Sequence, residues 1–504
     1  MRLSGLIQNI EILKSRGALD QEIKGIAYDS REVEEGFLFA ALQGLHTDGH
    51  RYIEEAIGRG AVAVLHSQDQ SQYRREISYI QVENSRRSLS PISAALHNYP
   101  SRELTVVGVT GTDGKSSTVW FIYQLCEALK KSAGFISTVQ FKAQAGEEKN
   151  TLRQSTPEAP EIHRLLRQIK ASSSTIAVVE ATSHGLSSRT SRLADVDFDV
   201  ALLTNVTHEH LEFHGTFEQY RSDKANLFRA LSRSPKKEGT PRFGIINMDD
   251  SNYEYFRSQS NYPVFRYSIN NQQANLYAAN VAADLCGSTF TLHYQGEEQS
   301  VALNLPGLFN VENIMAAALT VLKLFELPLA AVCAQLTAVK GVKGRMEIVD
   351  LGQPFRVFVD YAHTPGAFMK LLPLVREHTR GKLTAVFGSA GERDIEKRVQ
   401  QGEIAARYCD RIILTDEDPR GEDPMTILRQ IASAIEPAAP GKELFLSADR
   451  REAIKLALTR AEEEDTVLLL GKGHESTIIY STGAVHWDEH ATARRCLEKL
   501  GYRE

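Results

Sequence analysis

Leu104-Thr-Val-Val-Gly108-Val-Thr-Gly111-Thr-Asp113-Gly114-Lys115-Ser-Ser117 carries an apolar run into a glycine-rich turn and on into a helical pattern from Thr118 to Leu129. A strand that ends in such a turn and leads straight into a helix opens a parallel β-α-β unit. The segment therefore commits the chain around it to an α/β sheet. It commits the turn to a chemistry as well. Helix-start N–H groups, glycines that admit close backbone approach and a lysine together suit a polyphosphate. Lys115 is expected to reach the β- and γ-phosphates and Ser116 to offer a hydroxyl to Mg²⁺. Gly111, Thr112, Asp113, Gly114 and Ser117 complete the cradle. Gly108 to Gly114 encloses five residues where the general pattern encloses four, so the match lies in the Gly-Lys-Ser core. A glycine-rich turn with a surface lysine is the bland alternative, and the flanking strand and helix argue against it.

At 504 residues the chain exceeds one ordinary core, so several domains are expected. Its composition, 42% apolar and 24% charged, is that of a soluble globular protein. The net charge of −6, without a long Lys/Arg run, argues against nucleic-acid binding. No apolar stretch reaches membrane-spanning length and the N-terminal residues lack a secretory apolar region, so no membrane insertion is expected. Cys126, Cys286, Cys333, Cys409 and Cys496 are dispersed without metal-ligand spacing. Such a set reads as reduced thiols in a cytoplasm.

The pattern along the chain predicts three α/β parts, residues 1–103, 104–339 and 340–504. The first is a short α/β unit containing Asp29-Ser30-Arg31. In the second, strand-like runs at Thr105–Val109, Thr175–Val179, Val200–Thr204 and Gly244–Asn247 alternate with helical patterns, which predicts a mostly parallel P-loop-type sheet. A hairpin over Thr289–Leu305 and a buried helix over Ile314–Leu324 follow. The third part alternates again, with strands at Arg356–Val359, Leu383–Phe387, Ile412–Leu414, Glu443–Leu446 and Val467–Leu470, and reads as a doubly wound, Rossmann-like domain. In such sheets ligands lie beyond the carboxyl ends of the strands. Four polar clusters obey that rule: Asp360-Tyr-Ala-His363, Gly388-Ser-Ala-Gly-Glu-Arg393, Thr415-Asp-Glu417-Asp418-Pro-Arg420 and Gly471-Lys-Gly-His-Glu475.

A second segment adds metal chemistry to the phosphate cradle. Glu180 ends the run Thr175-Ile-Ala-Val-Val-Glu, so its carboxylate should emerge at the same sheet edge, and Mg²⁺ takes carboxylate oxygen readily. Thr204-Asn-Val-Thr-His208-Glu209-His210-Leu-Glu-Phe-His214-Gly carries further potential ligands upstream of Lys224. His210 is a candidate, with His208, Glu209 and His214 as neighbours that compete for the role. A buried, hydrogen-bonded histidine is the equal alternative.

These residues, in this order, resemble the Mur ligases, ATP-dependent enzymes that extend the peptide of the bacterial cell-wall precursor. The resemblance covers essentially the whole chain and is nearest to the ligases acting on UDP-N-acetylmuramoyl-L-alanyl-D-glutamate. It is carried by Asp29-Ser-Arg-Glu-Val with Gly36-Phe-Leu-Phe-Ala-Ala-Leu-Gln-Gly44, Glu180-Ala-Thr-Ser-His-Gly-Leu, the Thr204–Gly215 segment with Tyr220-Arg-Ser-Asp-Lys224, and Asn310-Val-Glu-Asn313. Gly344-Arg345-Met-Glu and the strand-end clusters beginning at Asp360 and Gly471 complete it.

The resemblance implies a uridine-nucleotide domain at 1–103, an ATP-binding domain at 104–339 and an amino-acid-binding domain at 340–504. The γ-phosphoryl group of ATP passes to the substrate's D-glutamyl carboxylate. The amine of an incoming amino acid attacks the acyl phosphate, and phosphate leaves. Lys115, two Mg²⁺ ions and helix N–H groups would neutralise the meeting anions. Lys224 is implied to be Nζ-carboxylated by CO₂ and to hold Mg²⁺ with His210 and Glu180. A helix-surface Lys224 paired to a carboxylate is the other reading. Arg345 and Asp360 are implied contacts to phosphate and ribose, and Asn313 to adenine. Ser30, Ser155, Thr156 and Thr182 match nucleotide-sugar positions. Where relatives carry Gln and Arg, this chain has Ser188 and Thr190, so Arg189 or Arg192 is expected to take the anionic group.

Arg393, Glu417, Asp418, Arg420, Gly471 and Glu475 are implied to line the amino-acid pocket. Relatives that add meso-diaminopimelate typically carry Asp-Asn-Pro-Arg where this chain has Glu417-Asp-Pro-Arg. The extra charge of Asp418 should disfavour a second substrate carboxylate and favour a terminal ammonium, as on L-lysine or L-ornithine. Arg420 argues the other way, for diaminopimelate, or pairs with Asp418. A monomer is expected. Folylpolyglutamate synthases share the later architecture but lack a uridine-nucleotide domain. An ATP-dependent switch or binding module needs no second polar pocket.

Overall fold

The computed structural model describes residues 1–44, 47–144, 146–149, 155–207, 211–438 and 442–503. Two compact units emerge. One comprises Met1–Val281, Thr289–Ala302 and Phe309–Val339, the other Ala282–Ser288, Leu303–Leu308 and Lys340–Glu504. The fold is three-domain α/β, built on three main sheets.

In the first unit, a five-stranded sheet has the order Lys14–Arg16, Ser78–Gln81, Ala61–His66, Phe37–Ala40, Gly25–Ala27. All its pairings are parallel except that of Lys14–Arg16. Apolar side chains on both faces, Leu38 and Leu65 on one and Phe39 and Val64 on the other, are buried under separate clusters.

The larger sheet holds β1 (Thr105–Thr110), β2 (Ala133–Ile136), β3 (Ile176–Glu180), β4 (Val200–Leu203) and β5 (Phe243–Asn247), in the spatial order β5-β4-β1-β3-β2. These pairings are parallel. The strands are Val/Ile-rich and buried on both faces, as a sheet covered by helices requires. Strands Val264–Ser268 and Leu276–Ala283 extend one side, followed by Ser288–Tyr294 and Glu297–Leu303, which realise the expected hairpin. Two further strands, Gln140–Gln144 and Gly146–Lys149, extend the other edge and were not anticipated.

The helix after β1 spans Lys115–Ala128, three residues earlier than the apolar pattern suggests, because Ser116 and Ser117 already have helical geometry. Helix Leu308–Phe325 is apolar and long enough to cross a membrane. Here it packs inside the unit, with Ile314, Met315, Ala316 and Ala317 fully buried.

The second unit is a doubly wound sheet of β6 (Arg356–Asp360), β7 (Leu383–Phe387), β8 (Arg411–Leu414), β9 (Glu443–Leu446) and β10 (Thr466–Leu470). Their order is β6-β10-β7-β8-β9, all parallel, with Glu347–Ile348 antiparallel at the β6 edge. Helix Arg450–Thr459 starts where Asp449 caps it, accepting from the Arg451 and Glu452 amides. All four polar clusters follow strand ends at one edge of this sheet.

The cysteines are all free thiols, four buried and Cys286 exposed.

Candidate active site

β1 delivers the chain from a buried strand into the loop Gly111–Gly114. Gly114 has φ +79°, and a Cβ there would collide with the Asn313 side-chain amide, so glycine is required twice over. The loop is pinned by the segment after β4. Thr204 Oγ1 donates to the Asp113 carbonyl at 2.6 Å, and the Asp113 N–H donates to Asn205 Oδ1 at 2.9 Å. The Thr112 N–H donates to the Asn205 carbonyl at 2.8 Å, and the Thr207 N–H to Thr112 Oγ1 at 2.9 Å. Lys115 arches back, its ammonium 2.7 Å from the Thr112 carbonyl. A rigid loop, a lysine and the positive end of a fourteen-residue helix thus converge.

β3 lies beside β1 with Glu180 opposite Val109, so the carboxylate emerges next to the cradle. It is buried yet well supplied with donors. Ser116 Oγ (2.8 Å), the Thr138 N–H (2.9 Å) and Thr138 Oγ1 (2.9 Å) all donate to it. Thr138, from the loop after β2, escaped the sequence reading because nothing in its local pattern marks it. His208, Glu209 and His210 lie outside the described residues. Among the described residues no group of three or more His, Cys, Asp or Glu side chains forms a metal cluster. Ser116 and Glu180 therefore supply two adjacent oxygens, the donor type that Mg²⁺ takes.

Lys224 sits on helix Phe217–Arg233 and is 1% exposed, so it is no solvated surface lysine. Its ammonium donates to the Gly111 carbonyl at 2.6 Å and lies 4.4 Å from the centre of the Tyr220 ring. The Tyr220 hydroxyl in turn meets Thr112 Oγ1 at 3.0 Å. Asn313, on helix Leu308–Phe325, is buried beneath the loop and accepts from Thr118 Oγ1 at 3.3 Å.

The expected nucleotide-sugar residues fall into two groups. Thr156 and Thr182 share a hydrogen bond of 2.8 Å, and Thr156 also donates to the Glu180 carbonyl at 3.0 Å, which joins them to the end of β3. Ser155 adjoins Thr156, whereas Ser30 lies in the turn Ser30–Glu32 of the five-stranded-sheet part. Arg189 is exposed and bonds the Phe213 carbonyl. Arg192 is turned inward, bonding the Thr156 carbonyl at 2.9 Å and Glu158 at 3.0 Å; Arg86 holds the same Glu158 oxygen. Of the two flanking arginines, Arg192 is thus the one joined to Thr156. Thr190 is buried, bonding carbonyls of its own turn, and Ser188 is exposed.

In the second unit, the Asp360 carboxylate at the end of β6 accepts from the Met346 and Ala362 N–H groups, each at 2.7 Å. Burial pushes its pKa up, against the opposing pull of Arg345. The Arg345 guanidinium lies 4.8 Å from the Tyr361 ring centre, and the Tyr361 hydroxyl donates to Glu475 at 3.1 Å. Burial also holds His363 down at about 4 and His474 at about 3, so both imidazoles are neutral at pH 7.

Fully buried Lys472 bonds both Asp418 (2.9 Å) and Glu475 (2.5 Å). Asp418 also accepts from the Ile479 N–H at 2.9 Å. Its charge is therefore matched by Lys472, which amends the expectation of an uncompensated Asp418 or one paired with Arg420. Of the carboxylates expected in the pocket, the one left over is Glu417, buried, its pKa raised by desolvation, with Oε2 making no hydrogen bond among the described residues. Neighbouring Asp416, its pKa also raised by burial, to about 6, likewise has one unbonded oxygen. Gly471, at φ +98°, lies directly against Glu417; a Cβ there would stand 3.0 Å from Glu417 Oε2. Arg420 is held in a left-handed backbone conformation with its Nε buried and unbonded, and Arg393 is exposed.

Three family descriptions match in succession: the Mur ligase family catalytic domain at residues 22–98, the Mur ligase middle domain at 109–321 and the Mur ligase glutamate ligase domain at 344–473. A UDP-N-acetylmuramyl-tripeptide synthetase of Treponema denticola is 44% identical over 515 residues, covering 97% of each chain. A UDP-N-acetylmuramoyl-L-alanyl-D-glutamate–2,6-diaminopimelate ligase of Syntrophomonas wolfei is 36% identical over 497 residues, covering 99% of each. A solved structure of a ligase with that same description has a TM-score of 0.65 at 27% identity, covering 99% of both chains.

Proposed function

The chain belongs to the Mur ligase family, and from that premise we propose that it adds L-lysine or L-ornithine to the D-glutamyl carboxylate of UDP-N-acetylmuramoyl-L-alanyl-D-glutamate. It is an amide-bond ligase of peptidoglycan precursor synthesis, and ATP drives the bond. The carrying observation is the 2.6 Å contact of buried Lys224 with Gly111 of the same phosphate cradle whose Ser116 bonds Glu180.

In this reading the glutamyl carboxylate takes the γ-phosphoryl group and ADP leaves. The amine of the amino acid then attacks the acyl carbon, a proton is lost from nitrogen, and phosphate departs. Lys115 and the first-turn N–H groups hold the β- and γ-phosphates and offset the charge gathered there. Ser116 and Glu180 fit one Mg²⁺ by donor type. Lys224 fits a second once CO₂ has added to its neutral Nζ with release of a proton, since the product is an anionic oxygen donor; His210 is a further ligand in this reading. Bound there, Mg²⁺ supplies positive charge to the transferring phosphoryl group. Asn313, Arg345 and Asp360 are read as nucleotide contacts. Ser30, Ser155, Thr156, Thr182 and Arg192 are read as contacts to the UDP-linked dipeptide.

The preference for a terminal ammonium rests on Glu417. With Lys472 engaged by Asp418 and Glu475, Glu417 lacks a bonded cation among the described residues, and a substrate ammonium would supply one. The unbonded Nε of Arg420 favours a second reading, in which meso-diaminopimelate offers it a carboxylate. We place the enzyme in the cytoplasm as a monomer.

Incubation with ATP, Mg²⁺, the UDP-linked dipeptide and equal concentrations of lysine, ornithine and diaminopimelate, followed by mass spectrometry, tests this. A lysine or ornithine adduct is expected. A diaminopimelate adduct selects the second reading, and phosphate release that needs neither substrate refutes ligation.

A further inference from the structure

Inside the first unit, Ser183, His214 and Asp223 form a hydrogen-bonded chain. His214 Nδ1 lies 2.8 Å from Asp223 Oδ2, and His214 Nε2 lies 3.1 Å from Ser183 Oγ. The second Asp223 oxygen accepts from the Gln219 amide at 3.0 Å. A carboxylate beside Nδ1 fixes the ring proton on that nitrogen, which leaves Nε2 to accept the serine hydroxyl. The order Ser-His-Asp is that of a hydrolase triad, but access excludes the analogy. Ser183 is 2% exposed and His214 5% exposed, so no scissile carbonyl reaches the hydroxyl.

The chain matters through what it connects. Asp223 directly precedes Lys224 on helix Phe217–Arg233, and Ser183 directly follows Thr182, the cap of the short helix Ser183–Leu186. The His214 ring also packs edge-on against Tyr220, with centroids 5.2 Å apart at 65°. Tyr220 is the residue whose hydroxyl meets Thr112 and whose face lies under the Lys224 ammonium. One buried imidazole therefore touches the substrate-side loop, the lysine-bearing helix and the aromatic ring that braces the phosphate cradle.

We propose that His214 is a positioning residue for phosphoryl transfer. The Asp223–His214–Ser183 chain holds helix Phe217–Arg233 against the Thr182 turn, so that Lys224 and Tyr220 stay in register with the cradle and with the substrate carboxylate. This rests on the reading of Lys224 as an active-site group. A residue that merely stabilises the fold would, when changed, lower the amount of folded enzyme and leave its turnover intact. A positioning residue lowers kcat in enzyme that remains folded, because misplacement of reacting groups by a fraction of an ångström is costly in rate.

The test compares His214→Gln, His214→Asn and Ser183→Ala with wild type. It measures phosphate release at saturating ATP, Mg²⁺, UDP-linked dipeptide and amino acid, the KM of each, and the thermal midpoint. We expect His214→Gln to lower kcat about 30-fold, with a less than about twofold change in the KM of the amino acid. His214→Asn, which keeps a donor where Nδ1 stood, should recover most of that loss. Ser183→Ala removes one hydroxyl and covers the case in which the histidine variants do not fold; a drop in kcat of about fivefold is expected. Wild-type kcat in folded Ser183→Ala, or rate losses that follow only the folded fraction, would overturn the proposal. Full activity in Lys224→Ala, or no substrate-dependent phosphate release by wild type, would instead overturn the reading of the site on which it rests.

Discussion

The Lys224 ammonium is fastened to the Gly111 carbonyl at 2.6 Å, so helix Phe217–Arg233 meets the phosphate loop through this buried side chain as well as through Tyr220 at Thr112. A primary ammonium that has lost its water needs either a strong acceptor set or conversion to another group. Carboxylation changes its sign, and with it what it attracts.

Lys224→Ala should therefore lower kcat by about 100- to 1,000-fold, the usual size for loss of one electrostatic group at a phosphoryl-transfer site. Formate or acetate at tens of millimolar, about the range needed for a weak ligand, should restore part of the rate, because on the proposed reading it replaces the carboxylate added to the Lys224 Nζ. Lys224→Arg should be inactive and unresponsive to either acid. The same loss of rate without rescue would assign Lys224 a cationic role.

Glu180 is aimed by three donors, from Ser116 and Thr138. Glu180→Gln keeps the shape and removes the charge, so kcat should fall about 100-fold and the Mg²⁺ concentration for half-maximal rate should rise. Thr138→Ala removes one donor of the three. It should cost about fivefold, in keeping with one hydrogen bond to a charged group. A magnesium titration of both variants checks the ranking, and an unchanged magnesium requirement in Glu180→Gln would refute the ligand role.

The parts of this architecture that could be read in the sequence are those whose chemistry is local in the chain. β1, its glycine turn and Lys115 are contiguous, and Asp360 ends, while Gly388, Thr415 and Gly471 each follow, a strand rich in buried Val, Leu, Ile or Phe. Thr138, Tyr220 and Lys472 are different. Thr138 meets Glu180 across 42 residues, and Tyr220 meets Thr112 across 108; no spacing rule reaches so far. Lys472 was visible inside its cluster, but its two carboxylate partners are set by the packing of the Asp418 and Glu475 loops. That pairing moves the specificity argument from Asp418 to Glu417. The strand pair Gln140–Gln144 and Gly146–Lys149 was missed because it is polar on its outer positions and sits at a sheet edge.

Glu417→Gln should lower kcat/KM for lysine or ornithine by about 10- to 100-fold, because on the proposed reading Glu417, which feels Lys397, Lys472 and Arg450 without a direct ion pair to any of them among the described residues, receives the substrate ammonium. Asp418→Asn should act differently. It leaves buried Lys472 with Glu475 as its one carboxylate, so the thermal midpoint should fall by several degrees, about what 1–3 kcal/mol does to a domain of this size. Amino-acid preference should be retained. A switch to diaminopimelate in Asp418→Asn, measured by competition and product mass, would return the specificity role to Asp418.

His163, on helix Ala159–Ala171, is fully buried with neither ring nitrogen hydrogen-bonded among the described residues, and burial next to His97 pushes its pKa down to about 3. His97 is itself held down at about 4, by burial and by Arg164 and Arg167. Below the unfolded imidazole value of 6.5 the unfolded chain takes up protons that the folded chain refuses. Stability is therefore full above about pH 6.5 and drains away as pH falls toward the folded values. His163→Leu removes one of these groups and both unpaired nitrogens while nearly conserving volume. Its thermal midpoint at pH 7.5 should equal or exceed that of wild type, and its midpoint should fall less steeply between pH 6.5 and 4.5. Parallel pH profiles for the two proteins would show that His163 stays neutral for some other reason, or is charged in the unfolded chain no more than in the folded one.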